Sequence, residues 1–231
     1  MSRLCATLEA AGYLRRDGST NLRFTLGPRI YQLAGSSSDS VDLRATARPV
    51  LEELVATCRE TASLTVLQEG EIVTIDVVDG LDFVRMHSRV GTRTEMHASA
   101  AAKAILAWLP DAQLDQLLTN LPMPRLTPQT LVTRESFEEH LEQVRRQGYS
   151  TDLEELETGL RCVGAPVRDH TGQVMAGIGL SGPRHRMTPE VVALLGRMVA
   201  QSADTISARL GAPPLSASPL GADSPASASS P

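Results

Sequence analysis

Two stretches of this chain can pair with themselves in only one way. Ala62–Gln68, Glu71–Val78 and Phe83–His87 each read as a strand, with Glu69-Gly70 and Asp79-Gly80 marking the turns between them. Arg161–Arg168 and Val174–Ser181 read likewise, joined across Asp169-His-Thr-Gly172. A few turn-forming residues can reverse a strand, but a parallel neighbour needs a crossover of about a dozen residues or more. These segments therefore specify a largely antiparallel sheet. Apolar periodicity marks helices at about 98–109, 111–118 and 134–147, the last starting near Thr133. A final helix over 188–210 opens on Thr188-Pro189, an N-cap residue followed by proline at the first helical position. Met187, Val191, Leu194, Leu195, Met198 and Ile206 supply its buried face. Helices beside an antiparallel sheet make an α+β domain. Aromatic residues are only 3%, so its core must be built from Leu, Val, Ile and Ala.

The amino-terminal part is different in kind. Residues 2–11 read as a helix with Leu4, Leu8 and Ala11 on one face, closed by Gly12. Tyr13–Arg16 and Leu22–Leu26 then flank the turn-rich Asp17-Gly-Ser-Thr-Asn21, and Leu22, Phe24 and Leu26 alternate with Arg23 and Thr25. A short helix followed by a basic two-stranded ribbon is the latter half of a winged helix-turn-helix. Residues 1–35 carry five arginines against Glu9 and Asp17, on a chain of net charge −5, so one end suits an anion that the acidic body does not. Arg15, Arg16 and Arg23 of the ribbon would contact phosphates, adding affinity without sequence information.

Further helical segments at 28–35 and 42–59 are separated by Gly35-Ser-Ser-Ser-Asp-Ser40. Leu43, Ala47, Val50, Leu51, Leu54 and Cys58 form an apolar stripe on the second, and Pro49 is expected to break it, bend it or begin a new helix. The stripe suits either the chain's own sheet or a second subunit. From Gly211 onward the chain is almost wholly Gly, Ala, Pro, Ser and Leu, and is expected to be disordered.

The chemistry-bearing residues gather in Asp152–Val167. Acidic residues stand at 152, 154, 155 and 157, Gly159 interrupts them, and Arg161-Cys162 opens an apolar run. Asp152 and Cys162 could face one cavity, since a loop can fold back on the strand it feeds. The other reading is a solvated acidic loop beside a core cysteine. Arg85, His87 and Arg89 alternate and so share one strand face, either a pocket or interface or a solvated surface. The five histidines show no metal-ligand spacing; His97 is expected to fix a loop by hydrogen bonding, and His140 and His185 to lie at the surface. Three cysteines without a CxxC pair point to free thiols in a reducing compartment, the cytoplasm. No run approaches the roughly 20 apolar residues that cross a bilayer. No cofactor or metal is implied.

Taken in order, several short pieces resemble the isocitrate-lyase-regulator (IclR) family of bacterial transcription factors. They are Leu8-Glu-Ala-Ala-Gly-Tyr-Leu14, Leu26-Gly-Pro28, Ala47-Arg-Pro49, Arg85-Met-His-Ser-Arg-Val-Gly91, His97-Ala-Ser-Ala-Ala-Ala-Lys103, Gly148-Tyr149, the 152–167 stretch and Ser181-Gly-Pro183. The resemblance runs from residue 2 to about 211. It implies a partial winged helix-turn-helix over 1–27, a linker over 28–44, a GAF-like effector-binding domain over 45–210 and a tail over 211–231. It also implies a homodimer or tetramer on a double-stranded DNA operator, without membrane contact, sensing a small carboxylic acid. Carried over by motif, the effector contacts are Ala98, Ser99 and Ala100 at a helix start, Asp152, Cys162, and Gly179 and Ser181; Ser2 and Arg3 join the DNA-contacting set.

Three departures qualify the resemblance. Relatives often have serine where this chain has Gly179, and Gly-Lys where it has Ala102-Lys103, so a larger or less polar acid is expected. Met1 falls inside the recognition helix, which implies a missing amino-terminal portion and weak DNA binding by the chain as given. A stand-alone metabolite-binding or dimerisation module is therefore one alternative. Another is an enzyme with Cys162 as nucleophile and His97 as base, although no nucleophile-elbow, phosphate-loop or dinucleotide motif accompanies them.

Overall fold

The computed structural model describes residues 3–16, 24–29, 43–82 and 88–214, with the side chain of Arg16 excepted. The chain divides into two compact units, Met1–Leu43 and Arg44–Pro231. In the first, helix α1 (Arg3–Ala10) is followed by strands β1 (Leu14–Arg16) and β2 (Phe24–Leu26), which pair antiparallel with Leu14 opposite Leu26. Gly12 takes φ +78° where α1 stops. The return strand crosses so closely that a Cβ on Gly27 would stand 2.2 Å from the Gly12 carbonyl oxygen, so only glycine fits. Arg3 and Arg15 are exposed. Ser2, Arg23, most of the segment expected to be helical at 28–35, and the strand expected at Phe83–His87 lie outside the described residues, as does the tail beyond 214.

The second unit holds a six-stranded, wholly antiparallel sheet in the order β5-β4-β3-β8-β7-β6. Its strands are β3 (Thr61–Gln68), β4 (Glu71–Val78), β5 (Arg93–Thr94), β6 (Ser150–Leu153), β7 (Leu160–Arg168) and β8 (Val174–Pro183). Both expected hairpins form, β3–β4 and β7–β8. The two short outer strands, β5 and β6, carry no apolar alternation and form by pairing with a neighbour. Asp152 accordingly lies on a strand, where a loop had been expected.

Period-2 patterning sorts the strands onto two faces. On one face Ala62, Leu64, Val163, Ala165, Val167, Ala176, Ile178 and Leu180 are completely buried. Helix α6 (Pro189–Arg209) covers β7 and β8 there through Val192, Leu195, Val199, Ala203 and Ile206. Thr188 occupies its N-cap position but caps no backbone amide; its hydroxyl donates to Glu190 at 2.9 Å. Beside α6 lies α2 (Leu43–Cys58), which continues unbroken through Pro49. Arg48 of α2 donates to Asp76 Oδ1 and to the Val77 carbonyl, each at 2.9 Å, fastening the helix to β4.

Against the opposite face packs the short helix α3 (Ala100–Leu106), backed by α4 (Asp111–Thr119) and α5 (Arg134–Gln147). Ile105, Leu106, Leu114, Leu118, Phe137, Leu141 and Val144 close a core between these helices and the sheet. Each such side chain contributes about 1.5–3 kcal/mol on full burial. Thr133 caps α5 by accepting from the Ser136 amide, and Gly148 ends it at φ +80°.

Candidate functional site

Residues directly opposed on antiparallel strands project to the same face. The register sets Asp152 of β6 opposite Cys162 of β7, Cys162 opposite Ser181 of β8, and Ser181 opposite Thr61 of β3. The next row on that face is Ser150, Gly164, Gly179 and Ser63. Beyond it Gly177 opposes Thr65, and Thr65 opposes Thr74. The two glycines at 164 and 177 are what let α3 lie down on this face. A Cβ at Gly164 would stand 2.7 Å from the Ala100 carbonyl, and one at Gly177 would stand 2.5 Å from the Ala101 oxygen.

Between this floor, the start of α3 and the 92–96 segment lies a cavity of about 650 Å³. Ser99, Ala100, Asp152, Cys162, Gly179 and Ser181 all line it. Ala98 is fully buried and lies off the wall. Arg89 stands exposed at the rim, while Arg85 and His87 are outside the described residues. Thr61, Ser63, Thr65 and Thr74, which the sequence reading did not single out, complete the floor. The signal for the first three was the alternation Thr61-Ala-Ser63-Leu-Thr65-Val, which also fits an ordinary solvated strand face.

Asp152 is completely buried. Its Oδ1 accepts the amides of Glu155 at 2.7 Å and Leu156 at 3.3 Å, and Oδ2 makes no hydrogen bond among the described residues. Burial pushes its carboxyl above the usual range, and the neighbouring Lys103 opposes that without cancelling it. At the start of α3, Ser99 accepts from the Ala102 amide at 3.4 Å, while the amides of Ala100 and Ala101 donate to no group among the described residues. Such unpaired amides favour an anion. A carboxyl with a raised pKa and two amides unpaired among the described residues therefore line one cavity.

Behind the wall sits a residue the sequence analysis named only as the end of a motif. Lys103 is completely buried, and its Nζ donates to both oxygens of Glu155 at 2.7 Å. Thr127 and Thr130 clamp the same turn by donating to the Glu154 carbonyl at 2.6 Å and the Glu155 carbonyl at 2.7 Å. The acidic segment is thus divided by role. Asp152 faces the cavity and Glu155 neutralises a buried lysine. Glu154 accepts from the Gly159 amide and meets Arg161 and Arg184 at 3.5 and 3.4 Å, and Glu157 is exposed. The signal for Lys103 was a single cation inside Ala100-Ala-Ala-Lys-Ala-Ile-Leu106, a helix otherwise wholly apolar.

His140, expected at the surface, turns inward. Its Nε2 is buried without a partner among the described residues, and burial together with Lys103 holds its pKa down to about 3. A histidine depressed in the fold contributes stability above its unfolded value near 6.5 and loses it as pH falls toward 3. His140→Gln is therefore expected to flatten the loss of stability between those values, read by urea unfolding at a series of pH values; an unchanged profile would count against the assignment.

The cysteine-dependent alternative finds no support in the geometry. Burial pushes the Cys162 thiol well up, and the adjacent Asp152 adds to this, the reverse of an activated nucleophile. His97 hydrogen-bonds through Nε2 to the Pro124 carbonyl at 3.0 Å, consistent with a loop-fixing role. Among the described residues, no group of His, Cys, Asp and Glu is arranged to hold a metal, and no helix is long and apolar enough to cross a membrane.

The model for the bacterial transcriptional regulator IclR C-terminal family matches residues 35–208. The chain belongs to the IclR family. It is 34% identical to the HTH-type transcriptional regulator KdgR of Escherichia coli over 209 residues, covering 90% of this chain and 79% of that protein. Its identity to the transcriptional repressor IclR of E. coli is also 34%, over 211 residues, covering 90% and 77%. Among solved structures, the fold is similar to the Thermotoga maritima IclR, with a TM-score of 0.74 at 29% identity over 90% of this chain and 83% of that one. The C-terminal domain of E. coli KdgR gives a TM-score of 0.67 at 34% identity, covering 74% of this chain and 99% of the domain. The IclR-type architecture read from the motifs is thus the architecture observed: an α+β domain with a curled antiparallel sheet and flanking helices. Its relatives are transcriptional regulators, and this chain is one by family.

Proposed function

We propose that this IclR-family chain is a cytoplasmic, ligand-responsive regulator. In this reading its second unit senses an organic acid, and the acid shifts a homo-oligomer between states of different affinity for a DNA operator. The observation that carries the reading is the buried Oδ2 of Asp152, unbonded among the described residues, on the wall of a 650 Å³ cavity also lined by helix-start residues whose amides donate to no described group. Burial raises the Asp152 carboxyl toward its protonated form, in which it can donate to an anionic oxygen, and the amides stabilise the same charge. Ser181 supplies a hydroxyl from the opposite strand. Arg3, Arg15, Arg16, Arg23 and Ser2 are the proposed DNA-contacting residues. A ligand shifts such an equilibrium only by its differential affinity for the two states.

Gly179 and Ala102-Lys103 together led to the expectation of a larger or less polar acid. We keep the size and set aside the low polarity, because Ser63 Oγ lies 3.1 Å from where a Cβ at Gly179 would stand, so β3 supplies a hydroxyl at that place.

The test is calorimetry with glyoxylate, pyruvate, benzoate and branched acids on the wild type and on Asp152→Asn. At least one acid is expected to bind, and the variant to weaken it about tenfold or more, the loss of one charge-assisted hydrogen bond. The same substitution should leave the protein as stable or more stable near neutral pH. A carboxyl raised in the fold contributes stability below its unfolded value near 3.8 and loses it as pH rises through the folded one, and Asn escapes that loss. Undiminished binding by the Asn variant would remove Asp152 from the site.

A further inference from the structure

Resting on the reading that this cavity holds an organic acid, we infer that the acid is polyhydroxylated and that Ser63, Thr65 and Thr74 read its hydroxyl groups. These three side chains stand on the same sheet face as Asp152, Cys162 and Ser181, displaced along β3 and β4 from the proposed carboxylate end. All three line the cavity, and none hydrogen-bonds to another protein group among the described residues. Thr65 and Thr74 are nevertheless almost fully enclosed, at 3% and 4% exposure. An enclosed hydroxyl without a protein partner is ordinarily satisfied by water or by a ligand.

Spacing sets the size of that ligand. Alternate residues on a strand are about 6.6 Å apart, so from the Thr61–Ser181 pair to the Thr65–Thr74 pair the floor runs about 13 Å. A two- or three-carbon acid seated at Asp152 and Ser181 leaves the far pair to solvent. An acid with a hydroxylated chain extends from the carboxylate end past Ser63 to Thr65 and Thr74. Each serine or threonine hydroxyl both donates and accepts, which matches an alcohol in either sense and needs no charge. An aromatic or alkyl acid of the same length would cover these hydroxyls without pairing them. That mismatch is the strongest form of discrimination a polar site has.

Gly179 fits the same arrangement. Its missing side chain leaves room for Ser63 Oγ over β8, and it keeps the Ala101 methyl at 3.4 Å from the vacant Cβ position. The hydroxyl displaced from β8 to β3 lies further along the track toward Thr65, on the side where the chain of the acid would run.

The test is titration calorimetry on the full chain and on a Thr65→Val, Thr74→Val double variant. The probes are D-gluconate, D-galactonate, D-mannonate, 2-keto-D-gluconate, hexanoate, benzoate and glyoxylate. At least one sugar acid is expected to bind tenfold or more tighter than hexanoate and benzoate. In the double variant that advantage should fall at least tenfold while glyoxylate affinity stays within twofold. Valine matches threonine in shape and removes hydroxyls that bond to no protein group among the described residues, so thermal unfolding should occur at or above the wild-type temperature and show the variant folded. Hexanoate or benzoate equalling the best sugar acid, or a sugar-acid advantage untouched in the variant, would overturn the hydroxyl track while leaving acid sensing intact. No binding by any of the seven acids would overturn both.

Discussion

Replacing Lys103 with alanine is expected to lower the unfolding free energy by about 3–5 kcal/mol, the cost of removing one partner from a buried ion pair. For a domain of this size that corresponds to a fall in melting temperature of roughly 6–20 °C. The loss arises from what is left behind. Glu155 keeps its place in the core, held by the hydroxyls of Thr127 and Thr130 on its backbone, and its two oxygens lose the only ammonium that met them at 2.7 Å. Asp152, which also feels Lys103, becomes harder to ionise as well. Both carboxyls already sit above their unfolded values of 3.8 and 4.5. A raised carboxyl contributes stability below the unfolded value and loses it as pH rises through the folded one. The variant's deficit should therefore be smallest near pH 4 and grow toward neutrality. A Lys103→Met, Glu155→Leu double variant should recover most of the loss, because an apolar pair of similar volume leaves no buried charge uncompensated. Urea unfolding of the three proteins between pH 4 and 8 checks this. A loss under about 1 kcal/mol, or one independent of pH, would mean that the pair is not the buried anchor described.

Gly164→Ala should be a damaging single-methyl change on the cavity face. The added Cβ would stand 2.7 Å from both the carbonyl carbon and oxygen of Ala100 and 2.8 Å from the Ala101 amide nitrogen, all backbone atoms of the helix start. No rotamer change relieves such a contact, so α3 must lift from β7. Overpacking of this kind costs about 1–3 kcal/mol. Lifting α3 also moves the Ala100 and Ala101 amides away from Asp152, and acid affinity should fall about tenfold or more, since a shift of under an ångström spoils a convergent site. Gly179→Ser is the control. Its Cβ meets the Ser63 hydroxyl at 3.1 Å and the Ala101 methyl at 3.4 Å, side-chain atoms that can give way, and the cost should stay below about 1 kcal/mol. Thermal unfolding and acid titration on both variants separate the cases. Equal tolerance at 164 and 179 would show that α3 does not rest on Gly164.

The local signals that proved readable were those that carry their structure within a few residues. Thr133 with its Ser136 amide and the Asp169–Gly172 turn each solve a backbone problem on the spot. The β3–β4 and β7–β8 hairpins follow from such turns. Pro49 neither breaks α2 nor begins a new helix, because its cost is offset by that helix's packing through Val50, Leu51, Leu54 and Val55. The four residues of β6 carry no pattern of their own and become a strand through β7, so Asp152 could be assigned to a wall but not to a strand.

The chain's motifs and patterning were enough to read the IclR-type α+β architecture, and the resemblance grouped Asp152, Cys162 and Ser181, which the strand register sets on one face. Spacing along a strand or helix is a short-range property, and a strand joined to its neighbour by a tight turn inherits a register. The charge balance and the polarity of the cavity are different, because they depend on pairs far apart in the chain. Lys103 finds Glu155 52 residues on, and Thr65 and Thr74 turn from what could be a solvated strand face into a cavity floor because α3 and the 92–96 segment roof them. A lysine or a threonine in a sequence carries no mark of whether water will reach it. Only the tertiary structure, by excluding water from some of these groups and leaving others open to the cavity, decides which of them bind a ligand and which hold the fold.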